Sequence, residues 1–418
     1  MVKRQLTRKE FFRVAGGTAA GTALFGVAGC GGAGRGEGEK TLTWWDYWTT
    51  GATNTIIEDA LARYMEENPG VKIERRTIPF AQLKPTLLRA AAARKLPDIA
   101  IIDNPDHASF SNLGALRSVS DLVDEWGKAD VYYEGPWRSC QFRGDSYGIP
   151  NTSNCLALFY NEDMLESAGV DPPDTWDELK EAAAKLTTGN RFGLAVSAIN
   201  TEEGTFHFLP FVWQAGADID SLDGEGGRAA LQLWVDMVRE GSMSRSVLSW
   251  TQEDVKNEWV NRRVAMMVNG PWQVPVIEAD YPDLNWGVVK LPKGEERATI
   301  LGGENMAITT GCENVEAAWK LLTWQQQPDN LIPYLKETDR QPSRRDLADV
   351  PAWADDPVLS VFVEQLEVAR PRAYGPNYPE ISTYIQEAFQ AAISGVSGVE
   401  AALSSAQIKV NPLLPERM

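Results

Sequence analysis

The stretch that decides the fold class is Pro97-Asp98-Ile99-Ala100-Ile101-Ile102, residues 97–102, because a continuous apolar run follows its turn residue. Short runs that are apolar on both faces are typical of central strands in a parallel sheet covered by helices. Towards the N-terminus, strand-like runs at 41–45 and 71–78 alternate with helical patterns at 53–68 and 80–94. The order strand, helix, strand, helix, strand predicts an α/β fold with a doubly wound sheet.

The same alternation returns later in the chain and indicates a second lobe. Thr175 and Glu178 have the spacing of a capping box in front of a helix. Strands are predicted at 192–196 and 264–268, and helices at 176–186, 228–239, 252–261, 317–326, 358–368 and 381–394. The body of about 380 residues exceeds what one hydrophobic core usually supports, so two domains are expected.

The N-terminal segment has the pattern of an export signal. Basic residues precede an apolar run of about fifteen residues, which is shorter than the roughly twenty residues of a membrane-spanning helix. Val27-Ala28-Gly29-Cys30 resembles a lipobox, which predicts a signal peptide at 1–29 and a lipidated Cys30. The Gly-rich segment 30–40 is expected to be a flexible tether. Lys9 stands where a twin-arginine motif has its second arginine, so the Tat and Sec routes both stay open.

Composition narrows the function. The net charge of −18 becomes −22 when residues 1–29, with five basic residues and one acidic residue, are removed. This negative charge disfavours nucleic-acid binding, because the phosphates of a nucleic acid would be repelled by it. With two His and four Cys, neither a Cys/His zinc site nor a His-based triad is well supplied, and no cofactor is expected. Cys140 and Cys155 flank a short turn and could pair, but we favour buried thiols.

Four stretches behind the lipobox carry a family resemblance. They are Leu96-Pro97-Asp98-Ile99; Tyr147-Gly148-Ile149-Pro150 with Leu158–Asp163; Asp174–Leu179; and Val264–Met267 with Asn269-Gly270-Pro271-Trp272. In this order they resemble the extracellular solute-binding proteins of ABC sugar importers, of the maltose- and trehalose-binding type. The resemblance runs from about Lys40 to the C-terminus.

The resemblance implies a two-lobed periplasmic-binding-protein fold with discontinuous lobes and hinge crossings near 151–156, 300–306 and 341–347. The expected boundaries are 41–152 and 305–343 for the N-terminal lobe, and 155–301 and 347–418 for the C-terminal lobe. A ligand would lie in the cleft between the lobes and be enclosed by a hinge motion.

A neutral sugar offers hydroxyl groups along its edge and C–H groups on its faces, so its site needs carboxylates, amides and aromatic planes. The resemblance assigns Trp272 to stacking on a sugar ring, while its alternative is a core position. Asp46 is preferred to Trp45, because Trp44 or Trp45 must face the core. The other expected contacts are Trp45, Trp48, Asn104, Asp106, Asn154, Phe206, Gly303, Glu304, Arg372 and Tyr374.

Several of these residues have alternative interpretations. Asp106 would also serve as a helix N-cap. Arg372 and Tyr374, in a proline-stiffened loop before the last long helix, would also suit plain surface positions. Asn154 stands where the maltose-binding protein carries an acid, which leaves the identity of the sugar open.

The expected protein is therefore a substrate-binding lipoprotein that captures a sugar, such as an α-glucoside di- or oligosaccharide, for the transmembrane subunits of an ABC permease. It would act as a monomer, held on the extracytoplasmic face of the membrane by the lipid on Cys30, and it would not be an enzyme. One alternative is a glycoside hydrolase using Asp46 and Asp106, although the sequence suggests no acid held protonated. Another is a binding protein for a polyamine or a glycerol phosphate.

Overall fold

A computed structural model describes residues 40–49, 51–338, 340–347 and 350–414. The predicted signal peptide, Cys30 and the tether up to residue 39 lie outside the described residues. No helix within the described ranges is long and apolar enough to cross a membrane.

The described chain begins with the predicted βαβαβ unit, which is confirmed. Its elements are β1 (Lys40–Asp46), α1 (Gly51–Glu67), β2 (Val71–Thr77), α2 (Phe80–Ala92) and β3 (Ile99–Asp103). Shorter elements follow, namely α3 (His107–Asn112), α4 (Ser120–Trp126), α5 (Glu134–Ser139), β4 (Gln141–Phe142), β5 (Asp145–Ser146), β6 (Ile149–Pro150) and β7 (Thr152–Ser153).

A second set of elements forms the C-terminal lobe. These are β8 (Ala157–Asn161), α6 (Glu162–Ala168), α7 (Trp176–Leu186), β9 (Phe192–Ala195), α8 (Glu202–Gln214), α9 (Glu225–Glu240), α10 (Gln252–Val260), β10 (Val264–Asn269), α11 (Val274–Asp280), β11 (Trp286–Val289) and β12 (Thr299–Leu301). Helix α7 starts at the predicted capping box, in which Thr175 and Glu178 exchange hydrogen bonds with each other's backbone N–H.

The chain then returns to the first lobe before it finishes in the second. The elements are β13 (Glu304–Ile308), α12 (Val315–Gln325), α13 (Pro328–Glu337), β14 (Gln341–Pro342), α14 (Pro351–Ala354), α15 (Leu359–Leu366), β15 (Ala369–Pro371), α16 (Tyr378–Ile393) and α17 (Val399–Val410).

Two main sheets organise the described residues. The first has the order β2-β1-β3-β13-β6, in which β1 is parallel to β2 and β3, and β13 is antiparallel to β3 and β6. The second has the order β11-β8-β10-β9, in which β10 is parallel to β9 and antiparallel to β8. The apolar run at 97–102 forms the central strand of the first sheet, as predicted.

The residues of β3 alternate between two cores. Ile99 and Ile101 pack with the cluster that contains Leu321 of α12, and Ala100 and Ile102 pack on the opposite face with Leu83 and Leu87 of α2. This is the two-residue period of a strand covered on both faces. The second sheet has its own cores, built mainly from α7 to α10, α16 and α17. Each sheet is therefore the centre of one lobe.

Segments that cross between the lobes meet near the cleft. Asn154 and Gly302 form an antiparallel bridge between the first and second crossings, with N–O distances of 3.1 and 2.9 Å. The third crossing was predicted at 341–347, but Trp353 and Leu359 still pack in the N-terminal core, and Phe362 packs in the C-terminal one. We therefore propose that the first lobe continues to about Leu359, because these side chains are buried against it.

The cysteines within the described residues are unpaired. Cys140, Cys155 and Cys312 are buried free thiols. This confirms the prediction of buried thiols, and the possible disulfide between Cys140 and Cys155 is not formed.

Candidate functional site

A cavity of about 510 Å³ lies between the lobes and is lined by residues of both. Its volume is within the range of roughly 300–1,000 Å³ that is usual for small-molecule sites. Its aromatic lining residues are Tyr47, Trp48, Phe80, Phe206 and Trp272. Carboxylates, guanidinium groups and amides line the space between these rings.

The loop after β1 forms the N-terminal wall. Tyr47 contacts Trp48 with ring centroids 5.0 Å apart, and Phe80 edge-on at 5.1 Å. The loop is shaped by Asp46, whose carboxylate accepts the backbone N–H of Trp48 at 3.0 Å. That carboxylate is also bound by Arg75 at 2.6 and 2.9 Å. An internal ion pair thus places two aromatic rings at the cavity.

Glu304 lies where the second crossing meets the first. It is 3% exposed, and it accepts hydrogen bonds from the hydroxyl groups of Tyr47 and Thr152. Arg340 lies 3.8 Å away as its cation. The preceding Gly303 has φ +136°, and a Cβ there would lie 2.1 Å from the carbonyl oxygen of Thr152. Only glycine therefore lets the two crossings approach so closely.

Arg372 connects the two lobes across the cavity. It follows β15, which is paired with β12 of the same lobe, and its guanidinium forms an ion pair with Glu202 of that lobe. It also lies 3.5 Å from the carboxylate of Asp103 and donates to Asn104 at 3.3 Å, both of the N-terminal lobe. The guanidinium lies over the ring of Phe206 at 4.7 Å. Arg372 is 3% exposed, while the side chains of its partners Asp103 and Glu202 are 15% and 23% exposed.

Asp103 is an unusual acid within this bridge. Burial raises the pKa of its carboxyl to about 7, against the opposing effect of Arg372 and with a smaller contribution from neighbouring acids such as Asp106. A substantial fraction of Asp103 is therefore protonated at neutral pH. The sequence gives no sign of such an acid, because the burial of a carboxyl depends on the packing around it and not on a local pattern.

Trp272 forms the C-terminal wall together with Phe206, with ring centroids 6.2 Å apart and planes at 54°. It sits in a 3-10 turn directly after β10. A Cβ at Gly270 would lie 2.0 Å from the indole ring, so glycine lets the ring fold back over the end of the strand. Asn269 holds this turn by accepting the N–H of Gly270 at 3.0 Å.

Among the described residues, several donors in the walls are buried without a hydrogen-bond partner. They are Nε1 of Trp48, Nε of Arg340 and Nε of Arg372. Buried polar groups are nearly always paired in proteins, so these donors mark places where the packing around the cavity leaves hydrogen-bonding capacity unused.

A match to the bacterial extracellular solute-binding proteins spans residues 59–360. The chain belongs to this family. A solute-binding protein of an ABC transporter from Thermotoga lettingae, solved with α-D-tagatose, is similar to it at 28% identity and a TM-score of 0.84, covering 90% of this chain and 100% of that one. A relative from Brucella abortus, named only as a binding protein, is 26% identical over 388 residues, 90% of this chain and 93% of its own.

A further similar structure is the cyclic α-maltosyl-1,6-maltose-binding protein of Arthrobacter globiformis. It has 26% identity and a TM-score of 0.75, and the match covers 90% of this chain and 99% of that one. The solute-binding protein therefore has the fold of the sugar-binding proteins of ABC importers. Its two-lobed periplasmic-binding-protein fold is confirmed.

The cavity of this solute-binding protein brings together more than half of the residues predicted from the sequence. These are Trp48, Asn154, Phe206, Trp272, Gly303, Glu304 and Arg372. The other predicted contact residues are not among the described residues that line this cavity; they are Trp45, Asp46, Asn104, Asp106 and Tyr374.

Two of the excluded residues belong to β1. Asp46 is 0% exposed, because the two-residue period of the strand places it on the same buried face as Trp44. The expectation that it contacts a ligand is corrected: it holds the loop through Arg75. Trp45 is on the other face, where the guanidinium of Arg76 covers its ring at 4.6 Å.

The other excluded residues also have partners elsewhere. Asn104 accepts from Arg372 and supports the bridge between the lobes. Asp106 forms an ion pair with Lys84 at 2.6 Å, behind the main cavity, and its side chain makes no N-cap hydrogen bond. Tyr374 donates to Asp218 and packs on Tyr378, with ring centroids 5.9 Å apart.

Residues that the sequence did not single out also line the cavity. Asp103 and Tyr47 each lie next to residues that were chosen, and Asp103 is the first acid after the central strand, which is a usable signal. Glu202, Glu203 and Arg340 have no local signal, because only the packing of the lobes brings them to the cleft.

Proposed function

We propose that this solute-binding protein captures a neutral di- or oligosaccharide, such as an α-glucoside, between its lobes and delivers it to the transmembrane subunits of an ABC importer. One observation carries the proposal: a single cavity lined by both lobes combines aromatic rings with buried carboxylates, amides and guanidinium groups. Such a combination suits the hydroxyl edges and C–H faces of sugars. The similar structures from Thermotoga lettingae and Arthrobacter globiformis bind sugars by name, which supports the proposal.

In the proposed complex, each wall has a defined task. Trp272 and Phe206 would stack on the sugar from the C-terminal lobe, and Trp48 would cover it from the N-terminal lobe. Glu304 would accept hydrogen bonds from the hydroxyl groups of the sugar, and the positive charge of Arg340 would balance its negative charge. Because these groups belong to different lobes, all of them contact the ligand only when the lobes are closed, which is how binding would favour closure.

We propose that the protein is also a lipoprotein. A lipid on Cys30 would hold the protein on the outer face of the cytoplasmic membrane, where it would act as a monomer. It would bind its sugar without turnover. The family of extracellular solute-binding proteins supports this location and role.

A glycoside hydrolase is the second candidate, and Asp103 is the observation that favours it. A carboxyl with a pKa of about 7 meets the requirement for a general acid. Incubation with maltose, trehalose and sucrose, followed by detection of released monosaccharide, separates the two functions. We expect no release of monosaccharide. Measurable turnover that is lost in Asp103→Asn would show that the protein is a glycoside hydrolase and not a binding protein.

A thermal-shift screen tests the binding function. Trehalose, maltose, maltotriose, sucrose and methyl α-glucoside would be compared with spermidine and glycerol 3-phosphate. A ligand at a hundred times its Kd adds roughly 2.7 kcal/mol to the free energy of unfolding, so a true ligand is easily seen. We expect a disaccharide to give the largest shift, and a shift with spermidine or glycerol 3-phosphate alone would exclude the sugar.

Trp272→Ala tests the site itself. We expect the sugar selected by the screen to bind at least about tenfold more weakly to this variant, because the stacking surface is lost. Isothermal titration calorimetry measures the change. Trp324→Ala is the matched control, since that indole donates to Glu67 at 2.7 Å in the N-terminal lobe and is outside the cavity lining. Equal losses in both variants would show that Trp272 has no special part in binding.

A further inference from the structure

A smaller cavity of about 220 Å³ adjoins the main one, and we call it the side compartment. Within the described chain, the residues that line both cavities are Tyr47, Phe80, Asp103, Glu202 and Glu203. They come from both lobes and form the partition between the two spaces. The side compartment is therefore an extension of the cleft.

The N-terminal wall of the side compartment is mainly apolar, and Lys84, Asp103 and Asp106 are its charged members. Leu83 and Leu87 of α2, Ile101 and Ile102 of β3, and Phe110 of α3 line it. Each of these side chains is at most 4% exposed. Helix α16 of the C-terminal lobe closes the opposite side.

Most polar groups of the side compartment are paired with one another, and the exception in the described lining is the buried hydroxyl of Thr201, which has no hydrogen-bond partner. Lys84 contacts Asp106 at 2.6 Å. Ser382 donates to Glu202, and Gln386 donates to Ser382 at 2.8 Å. The surface that remains without a partner is therefore mainly carbon, and water there would lose hydrogen bonds that it makes in bulk.

We propose that the side compartment binds an apolar substituent of about the size of one aromatic ring, carried by a glycoside whose sugar occupies the main cavity. An apolar cavity of about 150 Å³ is sufficient for benzene, so 220 Å³ accommodates a phenyl group. The inference rests on the proposed sugar-binding function, and it assigns an aryl glycoside as the preferred class of ligand. A free sugar would fill only the main cavity.

The test compares methyl α-glucoside with phenyl α-glucoside by isothermal titration calorimetry. We expect the phenyl compound to bind about tenfold more tightly, because the ring leaves water for an apolar space. Leu87→Phe fills the side compartment, so the preference for the phenyl compound is expected to disappear. Leu88→Phe is the matched control, since Leu88 is the next residue of α2 but is 43% exposed, and it is expected to keep the preference.

Thr383→Trp, at an exposed position in the lining, replaces Leu87→Phe if the latter does not fold. Equal affinities for the two glucosides in the wild type would overturn the inference and leave sugar binding intact. A phenyl preference that survives in the filled variant would also overturn it. Binding of neither glucoside would count against the proposed α-glucoside function and the inference together.

Discussion

At the scale of single residues, Asp103 shows how the fold changes the chemistry of a side chain. The sequence places it at the end of a buried strand, where an ionised acid is the ordinary expectation. Burial between the lobes instead raises its pKa from 3.8 to about 7, even with Arg372 at 3.5 Å. Asp46 is also buried, and its ion pair with Arg75 keeps it away from the cavity lining.

The pH dependence of stability tests the state of Asp103. The folded pKa of about 7 is above the unfolded value, so between about pH 4 and 7 the folded protein keeps a proton that the unfolded chain has released. We therefore expect the free energy of unfolding of the wild type, relative to Asp103→Asn, to fall as pH rises through this window and to level off above it. Urea unfolding of both proteins at pH 4.5 to 8 measures the difference. A constant difference would mean that Asp103 titrates normally.

At the scale of elements, most helices and strands are where the sequence predicts them. Periodicity and capping are local properties, so the boundaries of α2, α7 and α10 agree with prediction within about two residues. The place of the third crossing is not readable from a local pattern, because it depends on which core buries Trp353 and Leu359, and two apolar cores look alike in sequence.

Gly303→Ala tests the crossing between β12 and β13. The backbone there has φ +136°, and the added Cβ would meet the carbonyl of Thr152, so we expect the free energy of unfolding to fall by about 1–3 kcal/mol. We also expect weaker sugar binding, because Glu304 is the next residue. Chemical denaturation measures the first effect and calorimetry the second. Gly70→Ala, where a Cβ has no atom within 4 Å, should leave both nearly unchanged. Equal effects at the two positions would contradict this account.

At the scale of the whole molecule, the Arg372 bridge is expected to hold the lobes together before sugar binds. Its guanidinium joins Glu202 of one lobe to Asp103 of the other and is almost fully buried. Breaking such a pair leaves buried charge without compensation, which costs more than a surface pair contributes.

Arg372→Met is therefore expected to open the sugar-free protein, seen as a larger radius of gyration in small-angle X-ray scattering. Arg370→Met is the control, because Arg370 pairs with Glu296 within the C-terminal lobe and is 39% exposed at its side chain. Unchanged scattering in both variants would show that other contacts hold the lobes closed.

The order of the strands and helices, the two lobes and several aromatic residues of the cleft were determined by the sequence itself. Local periodicity and short motifs are properties of neighbouring residues, and they survive folding unchanged. The tertiary structure alone decided that Glu202, Glu203 and Arg340 line the cavity, that Asp46 and Tyr374 do not, and that Arg372 bridges the lobes. These outcomes depend on which segments, distant in sequence, meet in the fold and how much water they exclude. Neighbouring residues carry no pattern that indicates such burial or ion pairing.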